Sequence, residues 1–335
     1  MTKILKFGLV GCGAAAVTHA RLLLEIPDAT LFGVADKNYE AAKKFADEYG
    51  ARAYESYEQM LSDPEIDVVT VATPSYFHKE NAIAALEAKK HVVLEKPMAL
   101  SAADCDEIIE KMKECDRELT VMAQMRMSED VARVRELVKS GAFGKISLVE
   151  LTMKYYRNAD YYANSNWRGT LKYDGGGALI NQGIHGIDFI MYIMGDILRV
   201  KAMKKTVCHN IEAEDTLTAI AEFECGALGV IEASTCAYPG FERVIKIHGD
   251  RGYVAMNENK IVELMIDGVK QDHVSDTNYY SGANTNTVSN IRYHKAQVEN
   301  FIAALSGKEG IISDCYDGKR AVKVIENIYK NSLES

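Results

Sequence analysis

The sequence predicts two domains: an N-terminal doubly wound parallel α/β domain, and a C-terminal α+β domain with a large open, mostly antiparallel sheet. Short apolar runs alternate with amphipathic helical runs up to about residue 122, which is typical of a doubly wound sheet. Longer segments of alternating hydrophobicity follow from about residue 146, as in an antiparallel sheet with one covered face. The 335 residues suffice for about two domains. We therefore expect domains at 1–122 and 123–335, with the last helices able to pack back on the first.

Buried parallel strands should be apolar almost throughout, and five runs in the first half meet this condition. They are Ile4 to Val10, Thr30 to Asp36, Val68 to Ala72, His91 to Leu94 and Leu119 to Met122. Helices are expected between them at Tyr39 to Tyr49, Tyr76 to Ala88 and Ala102 to Glu114, with Ser101 as an N-cap.

The second half predicts strands and three longer helices. The strands are expected at Lys145 to Lys154, Thr216 to Glu224, Ala227 to Ser234 and Val244 to His248. The helices are expected at Gly177 to Met194, near Tyr293 to Leu305, and at Tyr316 to Lys330.

Composition excludes several classes of protein. Lys plus Arg is 39 against 48 for Asp plus Glu, so the formal charge is −9, the opposite of a nucleic-acid-binding surface. No apolar run reaches the ~18 residues of a membrane span. The seven cysteines form no CxxC pair and have no histidine at zinc-finger spacing, so we expect free thiols, a cytoplasmic protein and no metal site.

A glycine-rich turn follows the first predicted strand and opens a helix. It reads Gly11-Cys12-Gly13-Ala14-Ala15-Ala16, and in a Rossmann turn the glycines let backbone amides approach a pyrophosphate. Asp36 closes the second strand, where an acid holds the adenosine ribose hydroxyls. Its charge would repel a 2′-phosphate, so the sequence favours NAD over NADP, although the neighbouring Lys37 weakens that preference.

Two further segments follow strands at the edge where doubly wound sheets bind ligands. One contains Thr73, Pro74 and His78. The other is Glu95-Lys96-Pro97, in which the proline keeps Lys96 out of the helical region and fixes its exit from the sheet. His78 is equally well explained as a polar residue at a helix start.

A glycine-rich segment, Asp174 to Asp188, carries the fourth motif. On a regular helix Asn181, His185 and Asp188 would share one face, and Gly183 with Gly186 would leave bare surface for a flat ring. A core histidine beside packing glycines is the competing interpretation.

Together these motifs, GxGxxA, an acid after strand two, TPxxxH, EKP and GGGxLxNxGxHxxD, resemble the glucose–fructose oxidoreductase and inositol dehydrogenase (Gfo/Idh/MocA) family over essentially the whole chain. The resemblance implies a Rossmann domain, a C-terminal sheet whose open face often forms an oligomer interface, and oxidation of a sugar or cyclitol alcohol by NAD(P). It maps the family's catalytic lysine to Lys96 and its histidine to His185. The residue four before that histidine is usually aspartate, and here it is Asn181.

The resulting hypothesis is an NAD-dependent dehydrogenase acting on a CH–OH group of a sugar, cyclitol or sugar derivative, a glycoside or nucleotide sugar included. Lys96, His185 and Asn181 are the expected catalytic residues, and a homodimer or homotetramer is expected. The expected cofactor contacts are Gly11, Gly13, Ala14, Ala15, Asp36, Lys37, Thr73, Pro74, His78, Glu95, Lys96, Trp167 and Arg168. The expected substrate contacts are Lys96, Arg126, Tyr156, Arg157, Asn181, His185 and His294. The alternatives are a catalytically silent sugar or NAD sensor of the same fold, and an enzyme that recycles bound NAD within a larger conversion.

Overall fold

A computed structural model describes residues 3–271 and 291–333, which form two compact units. Of the described residues, the first unit holds 3–124 and 291–319, and the second holds 125–271 and 320–333. Each unit is built on its own sheet. Residues 291–319 thus belong to the first unit, although they lie near the end of the chain.

Strands and helices have the following bounds. The strands are β1 (Leu5–Val10), β2 (Ala29–Ala35), β3 (Arg52–Tyr54), β4 (Val68–Val71), β5 (His91–Leu94), β6 (Leu119–Val121), β7 (Ile146–Lys154), β8 (Ile197–Lys205), β9 (Thr216–Phe223), β10 (Leu228–Ser234), β11 (Val244–Gly249), β12 (Gly252–Asn257), β13 (Lys260–Ile266), β14 (Val269–Lys270) and β15 (Ser332–Leu333). The helices are α1 (Ala14–Leu23), α2 (Tyr39–Tyr49), α3 (Tyr57–Leu61), α4 (His78–Glu87), α5 (Ala102–Cys115), α6 (Glu129–Lys139), α7 (Ala159–Ala163), α8 (Leu171–Asp174), α9 (Ile184–Met194), α10 (Arg292–Leu305) and α11 (Cys315–Lys330). Short 3₁₀ turns span Ser75–Phe77 and Gln124–Met127, and a π-helical segment spans Ala178–Gly183.

The first sheet is parallel throughout, in the order β3-β2-β1-β4-β5-β6. This is the doubly wound dinucleotide-binding order, with the order reversing beside β1. The strands β1, β4 and β5 are almost wholly buried, as their continuous apolar sequences require. The carboxyl ends of β1, β2, β4 and β5 therefore carry the glycine turn, Asp36, and the two segments expected to bind ligands.

The second sheet has nine strands in the order β14-β13-β12-β11-β7-β10-β9-β8-β15. Most pairs are antiparallel, but β7 pairs with β10, and β15 with β8, in parallel. Inward side chains such as Leu217 and Ala219 are buried, whereas Leu198, Ile220 and Leu228 on the other face are 61–64% exposed. The fold class expected from the sequence, including the mostly antiparallel second sheet, is confirmed.

The structure contains further elements that the sequence analysis did not give, among them β8, β12, β13, α3 and α6, and it differs from the expectation at three more places. The strand β3 was missed because three residues with an exposed arginine give no apolar run. The helix expected at Tyr76 to Ala88 is a 3₁₀ turn followed by α4, since Pro74 starts the segment. The helix expected at Gly177 to Met194 is a π-helical segment followed by α9, and π-helical segments are frequent at functional sites. Among the described residues, no helix is both long and apolar enough to cross a membrane.

Candidate active site

The glycine turn of the first unit has the geometry that a dinucleotide phosphate requires. Gly11 has a φ of +90°, and a Cβ there would lie 2.8 Å from the carbonyl oxygen of Ala72, so a side chain does not fit. Gly13 is the N-cap of α1, so no side chain covers the first N–H groups of the helix there. No atom lies within 4 Å of the position that a Cβ of residue 13 would take. The first amides of α1, including those of Ala14 and Ala15, thus lie where an anion can approach the positive end of the helix.

Asp36 is fixed at the edge of this turn. Its Oδ2 accepts the backbone N–H of Cys12 at 2.9 Å, and its Oδ1 accepts that of Asn38 at 2.9 Å. Lys37 is exposed beside it. The carboxylate is therefore held next to the glycine turn, as an acceptor for ribose hydroxyls must be. These residues fit a bound dinucleotide, and their contact with the cofactor stays a prediction.

His78 lies in the protein interior and joins two loops. Its Nδ1 is 2.7 Å from the carbonyl oxygen of Pro97, and its Nε2 is 2.9 Å from that of Thr73. Burial lowers the pKa of His78, although the two hydrogen bonds to backbone carbonyls act to raise it. The ring is 1% exposed, which argues against the expected cofactor contact and instead makes His78 the connection between the segments of Thr73-Pro74 and Lys96-Pro97.

Glu95 also points into the first unit. Its Oε1 is 2.8 Å from Nε2 of His19 on α1, and its Oε2 accepts the backbone N–H of Lys96 at 3.2 Å. Burial opposes its charge, but His19, His294 and Lys96 together outweigh burial and lower the pKa of Glu95. This carboxylate fixes the backbone of Lys96 to α1, and its partners argue against the direct cofactor contact expected for it.

His294 lies on α10 within the first unit and is 8% exposed. Burial lowers its pKa to about 4, although the nearby Glu95 favours the charged form. Its Nδ1 has no hydrogen-bond partner among the described atoms. The expected substrate contact by His294 stays a prediction.

In the second unit, Asn181 and Gln182 are the centre of a hydrogen-bond chain. Asn181 donates from Nδ2 to Oδ1 of Asp174 at 2.6 Å and accepts at Oδ1 from Gln182 at 2.8 Å. Gln182 accepts in turn from Nη2 of Arg157 at 2.8 Å. Asp174 is 3% exposed, and its Oδ2 accepts the backbone N–H of Gly169 at 2.8 Å. A buried carboxylate thus anchors the Asn181 amide, and it belongs to Asp174, a residue that the sequence reasoning did not single out.

Two arginines and an aromatic residue lie next to this chain. The guanidinium carbon of Arg168 lies 4.3 Å from the ring centroid of Tyr161, and that of Arg157 lies 5.4 Å from it. Arg168 also lies 5.4 Å from the Trp167 ring. Gln182 donates to the Tyr161 hydroxyl at 2.9 Å. Arg157, Trp167 and Arg168 are therefore brought together, whereas Tyr156 packs edge-on against Tyr238 at 5.2 Å.

Arg126 has a different environment from the one expected. It donates to both carboxylate oxygens of Asp188, from Nη2 at 2.6 Å and from Nε at 3.1 Å, and lies over the Tyr192 ring. The arginine is 5% exposed, so this buried ion pair argues against the expected substrate contact and accounts for Asp188 as well.

The glycines near His185 are needed for packing, so the expected bare surface is wrong. A Cβ at Gly183 would lie 3.1 Å from Leu179 and 3.2 Å from Met153, and one at Gly186 would overlap the Met153 sulfur.

The sequence reasoning also missed Glu214 as a residue that shapes this segment. Its carboxylate accepts the backbone N–H groups of Gly177 at 2.9 Å and Leu179 at 3.0 Å. The only signal in the sequence is the segment Glu214-Asp215-Thr216, which forms part of the family resemblance.

Comparison with known proteins identifies the class of protein. Residues 5–123 match the sequence profile of the oxidoreductase family with an NAD-binding Rossmann fold, GFO_IDH_MocA, and residues 131–255 match the GFO/IDH/MocA C-terminal domain. The chain belongs to this family of NAD-binding oxidoreductases, as the resemblance predicted.

Three relatives are informative. The chain is 30% identical to the WlbA dehydrogenase of Bordetella pertussis, solved with NADH and UDP-GlcNAcA, with a TM-score of 0.87 and coverage of 98% of this chain and 96% of that one. It is 28% identical to the myo-inositol 2-dehydrogenase of Thermotoga maritima over 82% of both chains. It is 26% identical to the levoglucosan dehydrogenase of Pseudarthrobacter phenanthrenivorans over 78% of this chain and 76% of that one.

Proposed function

We propose that this chain is an NAD-dependent dehydrogenase that oxidises a secondary alcohol of a sugar derivative carrying an anionic group. The placement of Arg157 and Arg168 about one aromatic ring is the observation that carries the proposal. Two guanidinium groups next to Gln182 supply charge and directed donors for a carboxylate or phosphate. The similarity to a dehydrogenase solved with UDP-GlcNAcA supports an anionic sugar. The named relatives are dehydrogenases, and none supports the sensor alternative.

NAD supplies the hydride acceptor when bound. Gly11, Gly13 and Asp36 would hold its phosphate and ribose parts, for the geometric reasons given above. We propose His185 as the group that takes the alcohol proton, because an imidazole exchanges protons near neutral pH. Lys96 would donate a hydrogen bond to the reacting oxygen and offset its developing negative charge.

The exposed apolar side of the second sheet supports a homo-oligomer, which we propose to be a dimer or tetramer. Leu198, Ile220 and Leu228 border a depression of about 710 Å³ on that face. Large contiguous apolar surface on a protein marks an interaction site, and a second copy presents the same face. We also propose a cytoplasmic location, supported by seven free cysteines.

A substrate panel with NAD tests the proposed class. We expect NADH formation with UDP-GlcNAcA at a kcat/KM well above that with UDP-GlcNAc, myo-inositol or levoglucosan. Losing one hydrogen bond to a charged group costs about 1.5–3 kcal/mol, so Arg168→Gln should lower kcat/KM for the anionic substrate about 10- to 150-fold. Arg251→Gln, at an exposed arginine between β11 and β12, is the control. Equal or faster turnover of the uncharged substrates would contradict the proposal.

A further inference from the structure

A cluster of ligand-type side chains lies in the second unit, where the β8–β9 connection meets the end of β10. It consists of His209, Asp215 and Cys236 and is the one such group among the described residues, with its ligand atoms all within 4.8 Å of one another. The Nδ1 of His209 lies 3.2 Å from Oδ2 of Asp215 and 3.4 Å from Sγ of Cys236. We call it the His209 cluster.

Neighbouring groups fix the orientation of the cluster. The Nε2 of His209 is 2.9 Å from the carbonyl oxygen of Arg157, an acceptor, so Nε2 carries a proton. In the neutral ring the Nδ1 lone pair then points at Asp215 and Cys236. Metal-ligating histidines have this arrangement, with the second nitrogen bound to a carbonyl or carboxylate.

Asp215 is held equally firmly. It is fully buried, and its carboxylate accepts the backbone N–H groups of Val207, Cys208 and His209 at 2.8–2.9 Å. These bonds outweigh burial and lower its pKa to about 2. A buried carboxylate oxygen thus lies 3.2 Å from Nδ1 of His209, and two acceptors face each other there unless a proton or a cation lies between them.

The geometry points to a zinc site formed by His209 Nδ1, Cys236 Sγ and the Asp215 carboxylate, with the neighbouring Cys208 thiol as the proposed fourth ligand. Tetrahedral zinc with ordinary bond lengths separates nitrogen, oxygen and sulfur ligands by about 3.3–3.8 Å, close to the two measured separations. Imidazole, thiolate and carboxylate are all zinc ligands. On binding, the thiols lose their protons to solvent and form Zn–S bonds, with no oxidant needed.

Solvent access and a second cysteine favour the same assignment. Cys208 is exposed, and its side chain interacts with the Cys236 thiol, whose pKa is raised first by burial and further by Asp215 and Cys208. Cys208 and His209 line a cavity of about 730 Å³ that gives an ion a route to the cluster. The sequence reasoning expected no metal because the ligands, at 209, 215 and 236, follow no zinc-finger spacing.

Bound zinc would join the β8–β9 connection to the end of β10 and, through His209, to the backbone of Arg157. The site stands independently of the proposed function, since none of its ligands is a proposed catalytic residue. Cobalt(II), which reports tetrahedral thiolate coordination by its visible and charge-transfer absorption, is the probe for the full chain.

We expect one equivalent of Co²⁺ to give tetrahedral thiolate bands that one equivalent of Zn²⁺ abolishes. Cys236→Ser and His209→Asn should each weaken the Co²⁺ affinity by at least about 100-fold. Losing a residue that only supports a metal ligand already costs up to about 100-fold, and these variants remove a ligand itself. Cys225→Ser, at an exposed cysteine outside the cluster, should bind as the wild type does. Circular dichroism and melting temperature show whether each variant is folded.

Three results would overturn the site. Absence of the tetrahedral bands in reduced, folded wild type is one, and unchanged Co²⁺ affinity in both cluster variants is another. The third is an intact mass two hydrogens lighter with a Cys208–Cys236 linkage in the peptide map, because a disulfide would remove both thiolates.

Discussion

Replacing Asn181 by Asp would place a carboxyl group against the buried Asp174. In the wild type the Asn181 amide donates to Asp174 Oδ1 at 2.6 Å, and a carboxylate at 181 cannot donate this bond unless it is protonated. If the side chains relax to about 4 Å, two full charges repel by about 4 kcal/mol at an effective dielectric constant of 20. This corresponds to about 3 pH units, so the two carboxyls of the variant should share one proton up to about pH 7.

The sign of the pH effect follows from this proton. The folded variant keeps a proton that its unfolded chain loses near pH ~4, so stability relative to wild type should fall as the pH rises from ~4 to about 7. We expect the melting temperature of Asn181→Asp to match wild type near pH 4 and to be several degrees lower at pH 8. Asn164→Asp, the same change at an exposed position, should show no such difference.

A reciprocal variant separates charge repulsion from loss of the asparagine. Asp174→Asn with Asn181→Asp restores one carboxylate and one amide, so it should recover the melting temperature at pH 8. It also places the charge where the family usually has it, four residues before His185. The pH profile of kcat/KM should therefore rise at higher pH than in wild type, since a nearby anion favours the imidazolium. If Asn181→Asp alone is as stable as wild type at pH 8, the contact between residues 174 and 181 is wrong.

Three further outcomes are expected. Asp36→Asn, which removes the charge that would repel a 2′-phosphate, should reduce the preference for NAD over NADP, and wild type binding NADP about tenfold better would contradict the cofactor proposal. His294→Gln should reduce acid sensitivity: burial lowers the histidine pKa from 6.5 to about 4, so up to about 3 kcal/mol of stability is lost as pH falls through that interval, measured by melting at pH 4.5 and 7.5. Ile220→Glu should shift the protein toward monomer in light scattering, whereas Lys139→Glu, at an exposed residue of α6 that does not line the depression, should not.

The parallel sheet could be predicted closely from the sequence because its strands are buried on both faces. Strand β5 begins and ends where expected, β1, β4 and β6 differ by one residue at one end, and β2 is shifted by one residue at both ends. Ser101 caps α5 as expected, accepting the N–H of Asp104. These features depend on local composition and on capping chemistry, which the sequence shows directly.

The surroundings of the expected site residues depended on contacts between distant parts of the chain. Nothing in the local pattern indicated that Asp188 pairs with Arg126, 62 residues earlier, or that His78 bonds the carbonyl of Pro97. Residue type indicated chemistry capable of binding a ligand, but each of these groups is satisfied inside the protein. Burial decides whether such a residue can reach a ligand or bonds only within the protein, and the sequence does not show burial for an isolated polar residue.

The segment before His185 shows why its geometry could not follow from periodicity. Its N-terminal amides bond side chains from distant elements: Glu214 accepts those of Gly177 and Leu179, and the Tyr329 hydroxyl on α11 accepts that of Ile180 at 3.2 Å. Tyr329 itself donates to Glu214 at 2.8 Å. These acceptors replace bonds that a regular helix would make, so the π-helical turn leaves no orphaned amide at those positions. The placement of Asn181 is therefore controlled by the connection before β9 and by α11, and a substitution at Glu214 or Tyr329 should shift Asn181 without removing any site residue.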